Sequence, residues 1–138
     1  MKIYYAASIW GAAGDANFNL ELIKFLKHSA TVLSEHLFLP EYKNAEHLNM
    51  QQIHDRDLSW VNEADIIIAE CTSPSLGVGY ELREAITKAK RVIILYKPNP
   101  ENKNTRLSAM VAGAPGVTII NYATLTEVKD KLKKEVFS

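Results

Sequence analysis

The sequence holds a single cysteine, Cys71, so no disulfide can form within the chain, and a reducing, cytoplasmic setting is expected. It has no excess of either charge, since 16 Lys plus Arg balance 16 Asp plus Glu. That balance speaks against a nucleic-acid polymer or a membrane surface as partner. Long apolar runs are missing too. The two strongest, at 66–69 and 92–96, are far too short to span a bilayer and suit buried strands. The opening residues Met1-Lys2-Ile3-Tyr4-Tyr5 turn polar within a few positions, unlike a signal peptide. Repeats and low-complexity tracts are absent. His28, His36, His47 and His54 show no metal-ligand spacing with Cys71 or with one another, and read as surface or packing residues. No metal or cofactor is expected. Cys71 falls at a strand end without a paired base, which argues against a thiol nucleophile. A small molecule, at most a single nucleotide, remains as the ligand.

The chain has 138 residues, 47% of them apolar, enough for one core and one domain over 1–138. Strands are predicted at 2–8, 31–33, 65–70, 91–96 and 117–120. Between them, Asp15 or Asn17 caps a helix with the stripe Phe18, Leu22, Phe25 and Leu26. A polar stretch at 40–47 leads to a helix ending near Ala64. A turn at 72–79 opens a helix carrying Leu82, Ala85, Ile86 and Ala89. A short helix at 107–112 and a charged one at 125–136 complete the chain. Strands alternating with helices predict an α/β, doubly wound parallel sheet. Five strands at this spacing suit a flavodoxin-like (Rossmann-like) three-layer sandwich of order 2-1-3-4-5. Ligands of such sheets bind beyond the strands' carboxyl ends where the order reverses, here between strands one and three. The loops at 8–15 and 72–79, both rich in small residues, are the ones expected to carry function.

Two carboxylates break the apolar stripes. Glu81 lies beside the stripe of Val78, Leu82, Ala85 and Ile86, in what is expected to be the first turn after Gly77-Val78-Gly79. There a helix N-terminus favours its ionised form, which suits a nucleophile, although periodicity alone favours a plain dipole-stabilising Glu. Asp57 falls within the stripe of Ile53, Trp60, Val61 and Ala64, so it needs a basic partner or a function. Whether it reaches the crevice depends on where its helix begins. Two inward carboxylates at one pocket suggest glycosyl chemistry. In Ser73-Pro74-Ser75-Leu76-Gly77-Val78-Gly79, a hydroxyl and backbone N–H groups make either an anion site or a simple capped turn. The spacing is neither a P-loop nor a dinucleotide fingerprint. Ser8, at the end of strand one, offers a further hydroxyl.

These residues together resemble the 2'-deoxynucleoside 5'-phosphate N-hydrolases of the nucleoside 2-deoxyribosyltransferase superfamily. The resemblance rests on Ile3-Tyr4-Tyr5-Ala6-Ala7-Ser8-Ile9, Thr31-Val32-Leu33-Ser34-Glu35-His36 and Ile53-His54-Asp55-Arg56-Asp57-Leu58-Ser59-Trp60. It continues in Glu63-Ala64-Asp65-Ile66-Ile67-Ile68-Ala69-Glu70, the specific run Pro74-Ser75-Leu76-Gly77-Val78-Gly79-Tyr80-Glu81-Leu82, and Leu107-Ser108-Ala109-Met110. It implies cleavage of the N-glycosidic bond of deoxynucleoside monophosphates, with Glu81 as nucleophile. Asp57 would be the acid/base or the nucleophile's positioning partner, and Tyr4 would orient the reacting groups. Ser8, Ile9, Trp10, Gly11, Ser75 and Gly77 would line the substrate and phosphate site. Ser108 and Met110 would come from the neighbouring subunit of a homodimer. One departure stands out: the family pattern Gly-Ser-Ile-Arg-Gly reads Ala7-Ser8-Ile9-Trp10-Gly11 here. Trp10 cannot replace the bidentate phosphate grip of an Arg, which leaves Arg106 and Lys97 as candidate charges. The competing readings are a deoxyribosyltransferase of unphosphorylated nucleosides, a non-catalytic nucleotide-binding module and, less well supported, a flavin site that the fold would permit.

Overall fold

The computed structural model describes residues 1–9, 15–102 and 106–138, leaving aside the side chains of 43 and 44. Five parallel strands form one sheet: β1 (Lys2–Ala6), β2 (Thr31–Val32), β3 (Ile66–Glu70), β4 (Arg91–Tyr96) and β5 (Val117–Asn121). Their order is β2-β1-β3-β4-β5, as the alternation of strands and helices predicts. Register runs Ile3 to Ile66 and Ala6 to Ala69 across β1 and β3, where the order reverses.

Strand parity divides the core into two layers. Ile3, Tyr5, Ile66, Ile68, Ile93 and Leu95 pack under α1 (Ala16–Lys27) and the terminal α6 (Leu125–Val136). Tyr4, Ala6, Ile67, Ala69, Val92 and Ile94 pack under α3 (Met50–Glu63) and α4 (Leu76–Thr87). β3 is buried throughout because helices cover both its faces. Of the two candidate caps for α1, Asp15 is the one used, its carboxylate accepting from the Phe18 amide at 3.1 Å. The polar stretch predicted at 40–47 contains the one-turn α2 (Tyr42–Ala45), preceded by a 3₁₀ turn at Glu35–Phe38. The short α5 covers Ala109–Ala112, two residues less than predicted at its start. Among the described residues, no helix is long and apolar enough to cross a membrane.

Two helix starts bear on the site. α3 begins at Met50 behind an Asn49–Gln52 capping box, which places Asp57 at mid-helix. α4 begins at Leu76, capped by Ser75, whose hydroxyl accepts from the Val78 amide at 3.3 Å. Glu81 therefore lies in the second turn. The expectation of a first-turn, dipole-stabilised Glu81 is corrected: a serine cap captures the Leu76-Gly77-Val78-Gly79 residues as helix, where glycines alone suggest a turn.

Candidate active site

Even strand positions of β1 face α3 and α4, so Tyr4 lies fully buried beneath these helices. Its neighbour Tyr5 points the other way and its hydroxyl donates to Asn19 Oδ1 at 2.7 Å. The Tyr4 hydroxyl donates to the Glu81 carboxyl, and Asp57 faces the same pair electrostatically. Two carboxyls and a phenol thus share one desolvated place between β1, α3 and α4.

Loss of water pushes the Glu81 carboxyl up to about 8, the negative field of Asp57 adds to the rise, and the Tyr4 hydrogen bond offsets part of it. The helix N-terminus does not keep Glu81 ionised. Burial and Asp57 instead make it the group that holds a proton at neutral pH. Asp57 is also raised, chiefly by desolvation, but Arg56 opposes that rise. Tyr4 is held far above its ordinary range by burial and by both carboxylates, so it stays a donor. Replacing Tyr4 with Phe removes a hydrogen bond to a charged group, and about a tenfold to hundredfold fall in turnover is expected. The alkaline limb of the rate profile should move upward, since the lost bond lowers Glu81. A pH–rate profile of the Y4F protein checks both.

Asp57 has the basic partner its burial requires: Arg56 Nε lies 3.0 Å from its Oδ1. Arg56 adjoins Asp57 in sequence, but periodicity does not mark it. Its second partner, Glu46 at 2.7 Å, comes from the segment after α2 and carries no sequence signal. Asp55 is exposed and bonds His54, as its position off the stripe predicts.

Ser8 is buried just past β1, and its Oγ has no hydrogen-bond partner among the described residues. Ile9 beside it is partly buried. Trp10 and Gly11 lie outside the described residues. Ser75 is spent in part as the α4 cap. At Gly77 a methyl group would meet only the Ser75 hydroxyl, at 3.9 Å, so the chain's own packing does not demand a glycine there. Ser108 caps α5, accepting from the Met110 amide, and Met110 is 86% exposed.

A cavity of about 340 Å³ opens on the α1/α6 side, lined by Ser8, Phe18, Glu70, Thr72, Lys97 and Tyr122. Its opposite-face position separates it from Glu81 and Asp57, with Ser8 at the boundary. Lys97 lines this cavity and Arg106 is exposed. Glu70, missed in the sequence because it ends an apolar strand, is buried there. It accepts from the Thr72 amide and hydroxyl and from Tyr122. The Cys71 thiol, pushed up to about 12 by burial and Glu70, stays protonated. Among the described residues, no group of three or more His, Cys, Asp or Glu could hold a metal.

Fold and site together define an α/β protein with a buried carboxylate pair beside the switch point of its sheet. The chain belongs to the nucleoside 2-deoxyribosyltransferase family, whose model matches residues 3–114. A 5-hydroxymethyl-dUMP N-hydrolase of Tetraodon nigroviridis is 42% identical over 117 residues, covering 83% of this chain and 80% of that protein. The zebrafish (Danio rerio) protein of the same name is 39% identical over 138 residues, 99% of this chain and 90% of its own. Among solved structures, a CMP N-glycosidase from Clostridium botulinum superposes with TM-score 0.69 at 21% identity, over 96% of this chain and 99% of its own, and supports the fold.

Proposed function

We propose that the protein hydrolyses the N-glycosidic bond of 2'-deoxynucleoside 5'-monophosphates, releasing the free base and deoxyribose 5-phosphate. The observation that carries this is the desolvated Tyr4–Glu81–Asp57 cluster, in which the Glu81 carboxyl is held protonated near neutrality beside a second carboxyl whose rise Arg56 opposes. The pair keeps a proton between its members. As Glu81 attacks C1', the C1'–N bond breaks and the leaving base takes that proton by way of Asp57. Tyr4 holds the Glu81 oxygen in line. Water then cleaves the glycosyl-enzyme, with Asp57 accepting its proton and restoring the resting pair. The two N-hydrolase relatives support this reading and make a pyrimidine deoxynucleotide the first substrate to test.

Ser8, Ser75 and Gly77 receive the phosphate, and Ile9 crowds the sugar. The buried Ser8 hydroxyl, unpaired among the described residues, supports this assignment. Replacing Ser8 with Ala is expected to raise KM for the monophosphate roughly tenfold, the worth of about one charge-assisted hydrogen bond. KM for the matching nucleoside should stay unchanged, and paired saturation curves check it. A homodimer would complete the site with Ser108 and Met110 from the partner. Exposed Leu76 and Tyr80, on one face of α4, and exposed Met110 on α5 supply apolar surface for that contact. Sedimentation of the purified chain as a monomer would count against it.

The deciding experiment incubates the protein with matched deoxynucleosides and their 5'-monophosphates, with and without a second free base, and follows base release by chromatography. Release from monophosphates alone is the expected result. The second reading, transfer between bases, is favoured by Trp10 standing in place of the family's Arg. New nucleoside formed from the added base would establish it.

A further inference from the structure

We propose that Arg56 is a positioning residue, whose guanidinium clamps Asp57 against Glu46 and Trp60 so that the Asp57 carboxylate is presented in one orientation to Glu81. The inference deepens the hydrolase reading and, for its kinetic arm, rests on it.

The geometry is that of a fork with two occupied arms. Nε holds Asp57 at 3.0 Å and Nη1 holds Glu46 at 2.7 Å, and the guanidinium carbon sits 4.9 Å from the centre of the Trp60 ring. The three charged side chains are only 12–18% exposed, so solvent screens this cluster far less than a surface pair. Trp60 is braced in turn by the edge of His36, at 5.2 Å between ring centres. Arg56 has thus lost the freedom that makes most surface ion pairs weak. A planar fork can serve two carboxylates and stack at once, which an ammonium cannot.

Stability alone does not account for this arrangement. The third guanidinium nitrogen, Nη2, is buried without a hydrogen-bond partner among the described residues. A buried unpaired donor is destabilising, and a neutral or apolar side chain would avoid it. What the arginine supplies is a fixed positive charge beside one member of the carboxyl pair and not the other. Asp57 is faced by Arg56 from its own helix, Glu46 from the segment after α2, His36 from the 3₁₀ turn and Glu81 from α4, with Tyr4 of β1 beneath the pair. Tyr42 of α2 meets the other side of the Arg56–Glu46 bridge. Of these groups, Arg56 is the permanent cation. It opposes the rise that burial imposes on Asp57, while Glu81 has no such cation beside it. Through Glu46 it also ties the segment after α2 to the reacting pair.

The test uses the full chain as wild type, R56Q and R56K. Side-chain carboxyl titrations are followed by carbon NMR, assigned with D57N and E81Q proteins, alongside kcat and KM for a deoxynucleoside monophosphate across pH. In R56Q the Asp57 midpoint should rise by about one pH unit or more, as expected when an adjacent opposite charge is removed. Its kcat should fall at least about tenfold with KM changed less than about threefold, the signature of a group acting in the transition state. R56K should keep the Asp57 midpoint near the wild-type value yet still lose kcat, because charge is retained and orientation is not. A folded R56Q with unmoved carboxyl midpoints overturns the proposal. So does an R56K protein indistinguishable from wild type, which decides the matter if R56Q fails to fold. Should the wild type hydrolyse nothing, the hydrolase reading fails while the carboxyl titrations still decide the clamp.

Discussion

Replacing Glu81 with Gln is expected to lower base release from deoxynucleoside monophosphates by at least about a thousandfold, while leaving the fold intact. The amide keeps the shape of the side chain and can still accept from Tyr4, but it cannot form a glycosyl ester. Nothing else among the described residues is placed to substitute. Asp57 is engaged by Arg56, and the Cys71 thiol is held protonated by its burial. Chromatographic base release by E81Q, compared with wild type at equal protein, checks this. An E81Q protein with wild-type turnover would remove Glu81 from the chemistry. Asp57→Asn should be milder, since it removes the proton carrier and not the attacking atom.

The second large effect is in pH. Glu81 titrates at about 8 in the folded protein and near the ordinary carboxylate value when unfolded. Between those values the native state binds a proton that the unfolded state does not, so unfolding free energy falls as pH rises. The contribution is fully present below the unfolded value and is lost as pH passes through about 8. The slope approaches roughly 1.4 kcal/mol per pH unit for one proton. E81Q has no such proton. Its stability relative to wild type should therefore be unchanged near pH 4 and increasingly favourable towards pH 9, by a total of roughly a few kcal/mol. Denaturant melts of both proteins across this range measure the difference directly. The same ionisation should appear in kinetics: kcat/KM of the free enzyme should fall as pH rises through about 8, because the pair then loses the proton that the leaving base must take. Asp57 and Glu70 are raised as well, chiefly by burial, and act in the same direction on stability. Comparing E81Q with wild type cancels their share.

Helix and strand alternation, with buried runs at β3 and β4, leads to a parallel sheet and its order, because two covered faces require continuous apolar strands. Topology then names the crevice between β1 and β3 before any motif is read. Glu81 and Asp57 are legible for a related reason: a carboxylate on an apolar helix stripe conflicts with burial unless it has a partner or a task. These are properties of periodicity, which the order of residues carries without any tertiary contact.

What it could not determine are the interactions between distant segments. Tyr4 and Tyr5 are equivalent as letters, and only the register of β1 in the sheet turns one toward Glu81 and the other toward Asn19. The protonation of Glu81 reverses the expectation drawn from its place after the glycines. The serine cap moves the helix start upstream, and desolvation with Asp57 outweighs what remains of the dipole over a full turn. The Glu46–Arg56–Asp57 bridge spans segments whose approach depends on how the stretch after β2 folds back onto α3. Burial and proximity are set by tertiary packing, and charge states follow them, so the chemistry of this site was decided there.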